Sequence, residues 1–386
     1  MLQVALGECF KSSVYQSAKE CEEVEAFKRG TRSMQARTGE LASADVRIPM
    51  RFDRRGSYVV DWMIDGNTFS GVVDTGSPFL TVSGKCGELD AAWGCLDAGF
   101  DSERRKSLRV LPPTYEIYGL QEDGLTDWLK GEVDLLEGQE TGEEKTRKKV
   151  NLGEDIIYGA SSGFGSREGS APGNIAPMFG LVREVAKGIR PSFLSQTRFS
   201  SFTIDFDKSE LSLSAGRNAA TWAYPNTKGE MLPMVDLRPL GAPAFEYACK
   251  VERLVVNGYD VEPERPIFAI FDTGTTGMLV SSRLWEESLL QLGVAQCAIE
   301  LATVDGQKLV VAASTRSCRR DCLLVATPID VLWQPPTDEI GPEGPPQFDV
   351  IFVGLAFLTS RGYLTVDMDR NLLGLGAYRD LYASTP

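Results

Sequence analysis

Two short runs hold the residues best suited to chemistry: Val72-Val73-Asp74-Thr75-Gly76-Ser77 and Ile270-Phe271-Asp272-Thr273-Gly274-Thr275. Each feeds an apolar run into Asp-Thr-Gly and then a hydroxyl residue. Two like carboxylates in one site cannot both ionise comfortably, so one keeps a proton and the other serves as a base. Such a pair can activate a water and polarise a carbonyl without metal or imidazole. The chain has no histidine, which excludes every histidine-dependent triad and every histidine-based metal site. Asp74 and Asp272 are therefore the candidate catalytic pair.

The neighbours of each aspartate suit that task. A strand that ends in apolar residues anchors the loop in a core. Gly76 and Gly274 permit a tight turn and close backbone approach. Thr75 and Thr273 can bond across to the opposite loop. Ser77 and Thr275 can donate to the outer carboxylate oxygens and favour the ionised form. A single Asp-Thr-Gly also reads as an ordinary turn after a strand. Two matched copies in opposite halves of the chain argue against that reading.

The elements that must hold these loops are mostly strands. Tyr58 to Ile64 and Lys308 to Val311 alternate as short strands do, and glycine and proline punctuate the chain often. The best internal helix spans Ser281 to Leu292, capped by Ser281 or Ser282, with Leu284, Trp285, Leu289 and Leu292 on one face. A chain of 386 residues is long for one domain and comfortable for two lobes.

With these motifs the sequence resembles the pepsin-like, two-lobed aspartic proteases from about Asp45 onward. In that family two apolar residues and a glycine lie behind each aspartate loop in a psi-shaped motif. Met178-Phe179-Gly180-Leu181 fits in the first half and Ile351-Phe352-Val353-Gly354 in the second. Phe199 to Ile204 and Leu211 to Leu213 look like the strands joining the lobes. Gly362 to Asp367 and Leu373 to Gly376 look like the C-terminal hairpin. The resemblance implies an all-β, bilobal acid-protease fold with a central cleft and a few short helices. It implies an N-terminal lobe over 46–222 and a C-terminal lobe over 223–386, with the boundary near Gly216 to Gly229. Residues 1–45 form an N-terminal extension, read as a transit remnant, a pro-segment or a terminal helix.

The family covers its cleft with a hairpin flap bearing tyrosine and glycine. Tyr118 and Gly119 fill that place, with Gly131 to Asp134 as the returning strand and Tyr115 or Trp128 as rival lid residues. Thr81 stands where the family often has a tryptophan that props the flap, so a looser flap is expected. Pro335 to Pro346 resembles the family's proline-rich loop at the cleft edge. Cys86 and Cys95 resemble its small disulfide loop, and Cys297 with Cys318 or Cys322 its second-lobe bridge. Cys249 has no evident partner.

The resemblance implies an aspartic endopeptidase acting on an extended polypeptide by general acid–base activation of a shared water. No cofactor and no metal is expected, and the chain is read as a monomer. The alternative is a catalytically weak or inactive pepsin-like protein serving as a binding or structural subunit. A net charge of −14 argues against nucleic-acid binding. No apolar run is long enough to span a membrane. The basic stretch from Lys145 to Lys149 reads as a solvated loop. Cysteine usage favours an oxidising lumen, whether secretory, vacuolar or plastid-derived.

Overall fold

The computed structural model describes residues 45–53, 56–84, 86, 93–96, 108–118, 121–138, 147–161, 176–186, 189–215, 231–288, 290–315, 324–330 and 347–377. The N-terminal extension, the expected lobe boundary, the proline-rich segment, Gly119, Cys318 and Cys322 lie outside these residues.

The described chain is mostly β, arranged in three sheets. One sheet comes from the first half: β2 (Arg51–Asp53), β3 (Ser57–Ile64), β4 (Asn67–Asp74), β5 (Thr81–Ser83), β6 (Arg109–Tyr118), β7 (Gln121–Glu137), β8 (Lys148–Ser161) and β9 (Met178–Gly180). A second comes from the other half: β13 (Ala248–Val256), β14 (Tyr259–Val261), β15 (Ile267–Phe271), β16 (Met278–Ser281), β17 (Gln296–Ala302), β18 (Lys308–Ser314), β19 (Ala326–Ile329) and β20 (Asp349–Val353). The third draws on both. It runs β1 (Val46–Pro49), β11 (Glu210–Ser214), β10 (Ser201–Asp205), β21 (Tyr363–Asp367), β22 (Leu372–Leu375) and β12 (Met231–Pro233).

Alternation decides which faces are buried. In β3, Tyr58, Val60, Trp62 and Ile64 enter the core while Asp61 and Met63 lie nearer the surface. The strands that carry the aspartates are different. β4 ends in six consecutive buried residues, and all but Phe268 of β15 are buried. Strands covered on both faces hold their loops rigidly.

Several expectations are corrected. The helical segment is shorter than expected: α1 covers Ser282–Glu287 and a 3-10 turn covers Leu290–Leu292. Ser281 does not cap it, because its hydroxyl donates to Asp349 Oδ1 at 2.8 Å. Leu292 is 77% exposed, so it belongs to no apolar face. Lys148 and Lys149 open strand β8, and Arg147 donates to Asp61 Oδ2 at 2.7 Å. Arg147 to Lys149 are thus held by sheet pairing and an ion pair, and Lys145 lies outside the described residues. Cys297 is a free buried thiol on β17, placed between Val256 and Ala313 of the neighbouring strands. It forms no bridge to Cys318 or Cys322. Cys86 and Cys95 do form a disulfide, and Cys249 is free and buried.

Candidate active site

Each aspartate loop is framed by a strand that runs parallel to its own. β4 pairs with β9 so that Asp74 lies opposite Gly180. The Leu181 N–H then donates to the Asp74 carbonyl at 2.8 Å. In the second half β15 pairs with β20, and the Asp272 N–H donates to the Val353 carbonyl at 3.0 Å. The two apolar-Gly segments singled out in the sequence are thus the strands that back the loops.

The loops bond reciprocally to each other. The Thr75 hydroxyl donates to the Phe271 carbonyl at 2.7 Å and accepts from the Thr273 N–H at 3.0 Å. The Thr273 hydroxyl donates to the Val73 carbonyl at 2.6 Å and accepts from the Thr75 N–H at 3.2 Å. Four buried bonds therefore tie together residues about 200 positions apart in the chain. The glycines allow the close approach. A Cβ on Gly76 would sit 2.7 Å from Asp272 Oδ1, and one on Gly274 would sit 2.5 Å from Asp74 Oδ1. No side chain fits either position without moving the opposite carboxyl.

Asp74 and Asp272 are both buried and hydrogen-bonded to each other. Each accepts one backbone bond at 2.8 Å, from Gly76 and Gly274 respectively. Beyond this they differ. The Thr275 hydroxyl donates to Asp272 Oδ2 at 2.7 Å. The Ser77 hydroxyl instead accepts from the Phe79 N–H of its own turn, at 3.5 Å, and no bond to Asp74 is formed. This corrects the expectation for Ser77. Burial pushes the Asp74 carboxyl up to about 7, and the Asp272 charge and hydrogen bond act in the same direction. Burial opposes ionisation of Asp272, whereas positive charge and the bonds from Thr275, Asp74 and Gly274 favour it, and that carboxyl lies below its ordinary value. The directions favour the proton on Asp74 and the charge on Asp272.

The hairpin of β6 and β7 carries Tyr118 at its end, paired in register with Gln121. β7 resumes at Gln121 and runs unbroken to Glu137. The return strand therefore starts ten residues before the Gly131 expected from the sequence. Trp128 is no lid. It is buried in a cluster with Phe79 and Ile157, its indole 5.0 Å from the Phe79 ring. Its Nε1–H donates to Thr114 Oγ1 on β6 at 2.7 Å. Thr81 is also buried, and its hydroxyl accepts from the Met178 N–H at 2.9 Å. The hairpin strand thus has an indole support, supplied by β7 and not by position 81.

Among the described residues no group of three or more acidic or thiol side chains is arranged to hold a metal ion. No described helix is long and apolar enough to cross a membrane. No family model and no curated protein matches the chain.

Proposed function

We propose that the chain is an aspartic endopeptidase of the bilobal, pepsin-like type. In this reading residues 46–222 and 223–386 form two lobes, and an extended polypeptide lies in the cleft between them. The observation that carries the reading is the hydrogen-bonded pair of buried carboxyls on reciprocally tied loops, with opposite protonation tendencies. Asp272, ionised, takes a proton from a water held between the carboxyls. Asp74, protonated, donates to the carbonyl oxygen of the scissile amide. The water oxygen adds to the carbonyl carbon, and protonation of the amide nitrogen then releases the amine. No covalent enzyme intermediate is needed. Tyr118, at the end of β6, and Gly119, next in the sequence, are the residues proposed to cover the substrate backbone and exclude solvent.

The singly protonated pair exists between the depressed value of Asp272 and about pH 7 for Asp74. Activity is accordingly expected on the acidic side and lost above neutrality. The decisive experiment is digestion of a denatured protein at acidic pH with and without pepstatin. Pepstatin-sensitive cleavage supports the reading. Absence of cleavage across the acidic range overturns it and leaves a binding or structural role. The Cys86–Cys95 disulfide fits work in an oxidising lumen.

A further inference from the structure

A third buried acid belongs to this site. The segment leading into β13 continues the pairing of β13 with β15 beyond Ala248 and Ile270. The Phe271 N–H donates to the Tyr247 carbonyl at 3.0 Å. One residue further along each chain lie Glu246 and Asp272. The charges of Asp272 and Asp74 both act on Glu246. It is as buried as they are, each being 1% exposed.

What distinguishes Glu246 is a buried acceptor without a hydrogen bond. Its Oε2 is enclosed and makes no hydrogen bond among the described residues. Other buried acids are met: Asp74 by Gly76 and Asp272, Asp272 by Thr275 and Gly274, Asp349 by Ser281 and Arg283. A buried polar atom without a partner is costly and rare, and calls for an explanation. The cations of the neighbouring segments are already engaged. Arg183 pairs with Asp369, and Arg238, stacked over Phe245, pairs with Asp236 and Glu184. Glu184 itself holds the Phe245 N–H through its carbonyl and adds negative charge on that side. Glu246 thus stands beside two acids with an acceptor unmet among the described residues.

We propose that Glu246 is a specificity-determining residue that pairs with a basic side chain of the bound peptide, beside the aspartate pair. The proposal rests on the peptidase reading. A lysine or arginine of the substrate brings the missing donor together with a positive charge. Before it arrives, burial together with the charges of Asp272 and Asp74 pushes the Glu246 carboxyl up to about 8, so it holds a proton in acid. Pairing with a cation releases that proton to solvent.

The test uses the full chain and a set of labelled hexapeptides. The central amide is N-methylated to prevent cleavage, and lysine, arginine or norleucine is scanned through each position. Affinity is read by fluorescence anisotropy. At one position a basic residue should tighten binding at least tenfold over norleucine, and in Glu246→Gln the difference should fall below twofold. No basic preference in the wild type, or a preference that survives Glu246→Gln, overturns the proposal. Should that variant fail to fold, calorimetry of the wild type in two buffers of different ionisation enthalpy decides. Binding of the preferred basic peptide should release about one proton near pH 6, and no release overturns the proposal. The same peptides with an ordinary amide test the parent reading separately. A basic binding preference without any cleavage keeps Glu246 as a binding determinant and removes the peptidase.

Discussion

Around Asp74 and around Asp272 the backbone is laid out alike. Each loop has a parallel strand behind it, a glycine N–H on its carboxyl and a threonine that reaches across. The difference lies in one hydroxyl. Thr275 points its proton at Asp272, whereas the Ser77 oxygen is turned to the Phe79 N–H. A hydrogen bond to a charged group is worth about 1.5–3 kcal/mol, and about 1.4 kcal/mol is enough to move a titration tenfold in proton concentration. That bond therefore helps to break the symmetry of two near-identical carboxyls and favours the proton on Asp74. Similar sequence supplies the pair, and unequal hydroxyl geometry supplies its chemical polarity.

The strongest way to break the pair is to neutralise one member. Asp74→Asn and Asp272→Asn should each lower turnover of a peptide substrate by about a thousandfold or more, since positioned acids and bases contribute about 10²–10⁴. The far-UV circular dichroism should stay unchanged. Residual activity within tenfold of wild type in either variant would sink the shared-water mechanism.

Stability should report the same asymmetry. Asp74 is raised from an ordinary 3.8 to about 7, and Glu246 from 4.5 to about 8. Their contributions are fully present below those ordinary values and are lost as pH rises through the folded ones. Asp272 is shifted down, so its contribution is present above 3.8 and is lost as pH falls below it. The melting temperature should thus be higher near pH 5 than near pH 8, and Glu246→Gln should flatten the decline. A melting temperature that climbs from pH 5 to pH 8 contradicts these directions.

Crowding at the glycines tests the closeness of the loops. Gly76→Ala and Gly274→Ala each force a methyl against the opposite carboxyl, at a cost of about 1–3 kcal/mol by the usual scale of overpacking. Chemical denaturation should register that loss, and turnover should fall with it. Unchanged stability and turnover in both would mean that the loops are further apart than described.

The hydroxyl difference itself predicts the smallest and most selective effects. Thr275→Val should move the acidic limb of the pH–rate profile upward by about one to two pH units, the equivalent of one charged hydrogen bond. Ser77→Ala should move stability and turnover by no more than about 0.5 kcal/mol, as for a change that touches no key interaction. Equal effects of the two substitutions would remove the asymmetry.

The pair, its threonines and its backing strands are legible in the sequence because each is a local run of residue types with a fixed spacing. Met178 to Leu181 and Ile351 to Gly354 need no more than an apolar pattern ending in glycine. The proton's location is not legible. Ser77 and Thr275 offer the same hydroxyl, and only the fold decides where each one points. Trp128 falls in an expected loop because Gly131 looks like the start of a strand, whereas β7 tolerates that glycine in its interior. Glu246 carries no motif. Its one signal is a lone charge inside the apolar run Ala242 to Cys249, and its neighbour Asp272 becomes visible only once the strands are in register. The fate of Cys297 is likewise settled by which neighbours the sheet gives it.

Under the proposed peptidase reading, the reciprocal threonine bonds also set when activity can first arise. They join residues separated by 196 to 200 positions. During synthesis at about 5–20 residues per second, Asp74 emerges on the order of ten to forty seconds before its counterpart. Contacts of such range are also the slowest to close. A nascent or truncated chain therefore carries Asp74 with no second carboxyl to share a proton with. On that reading the pair is assembled only after the ribosome has passed Asp272, so products that end before it should show no peptidase activity.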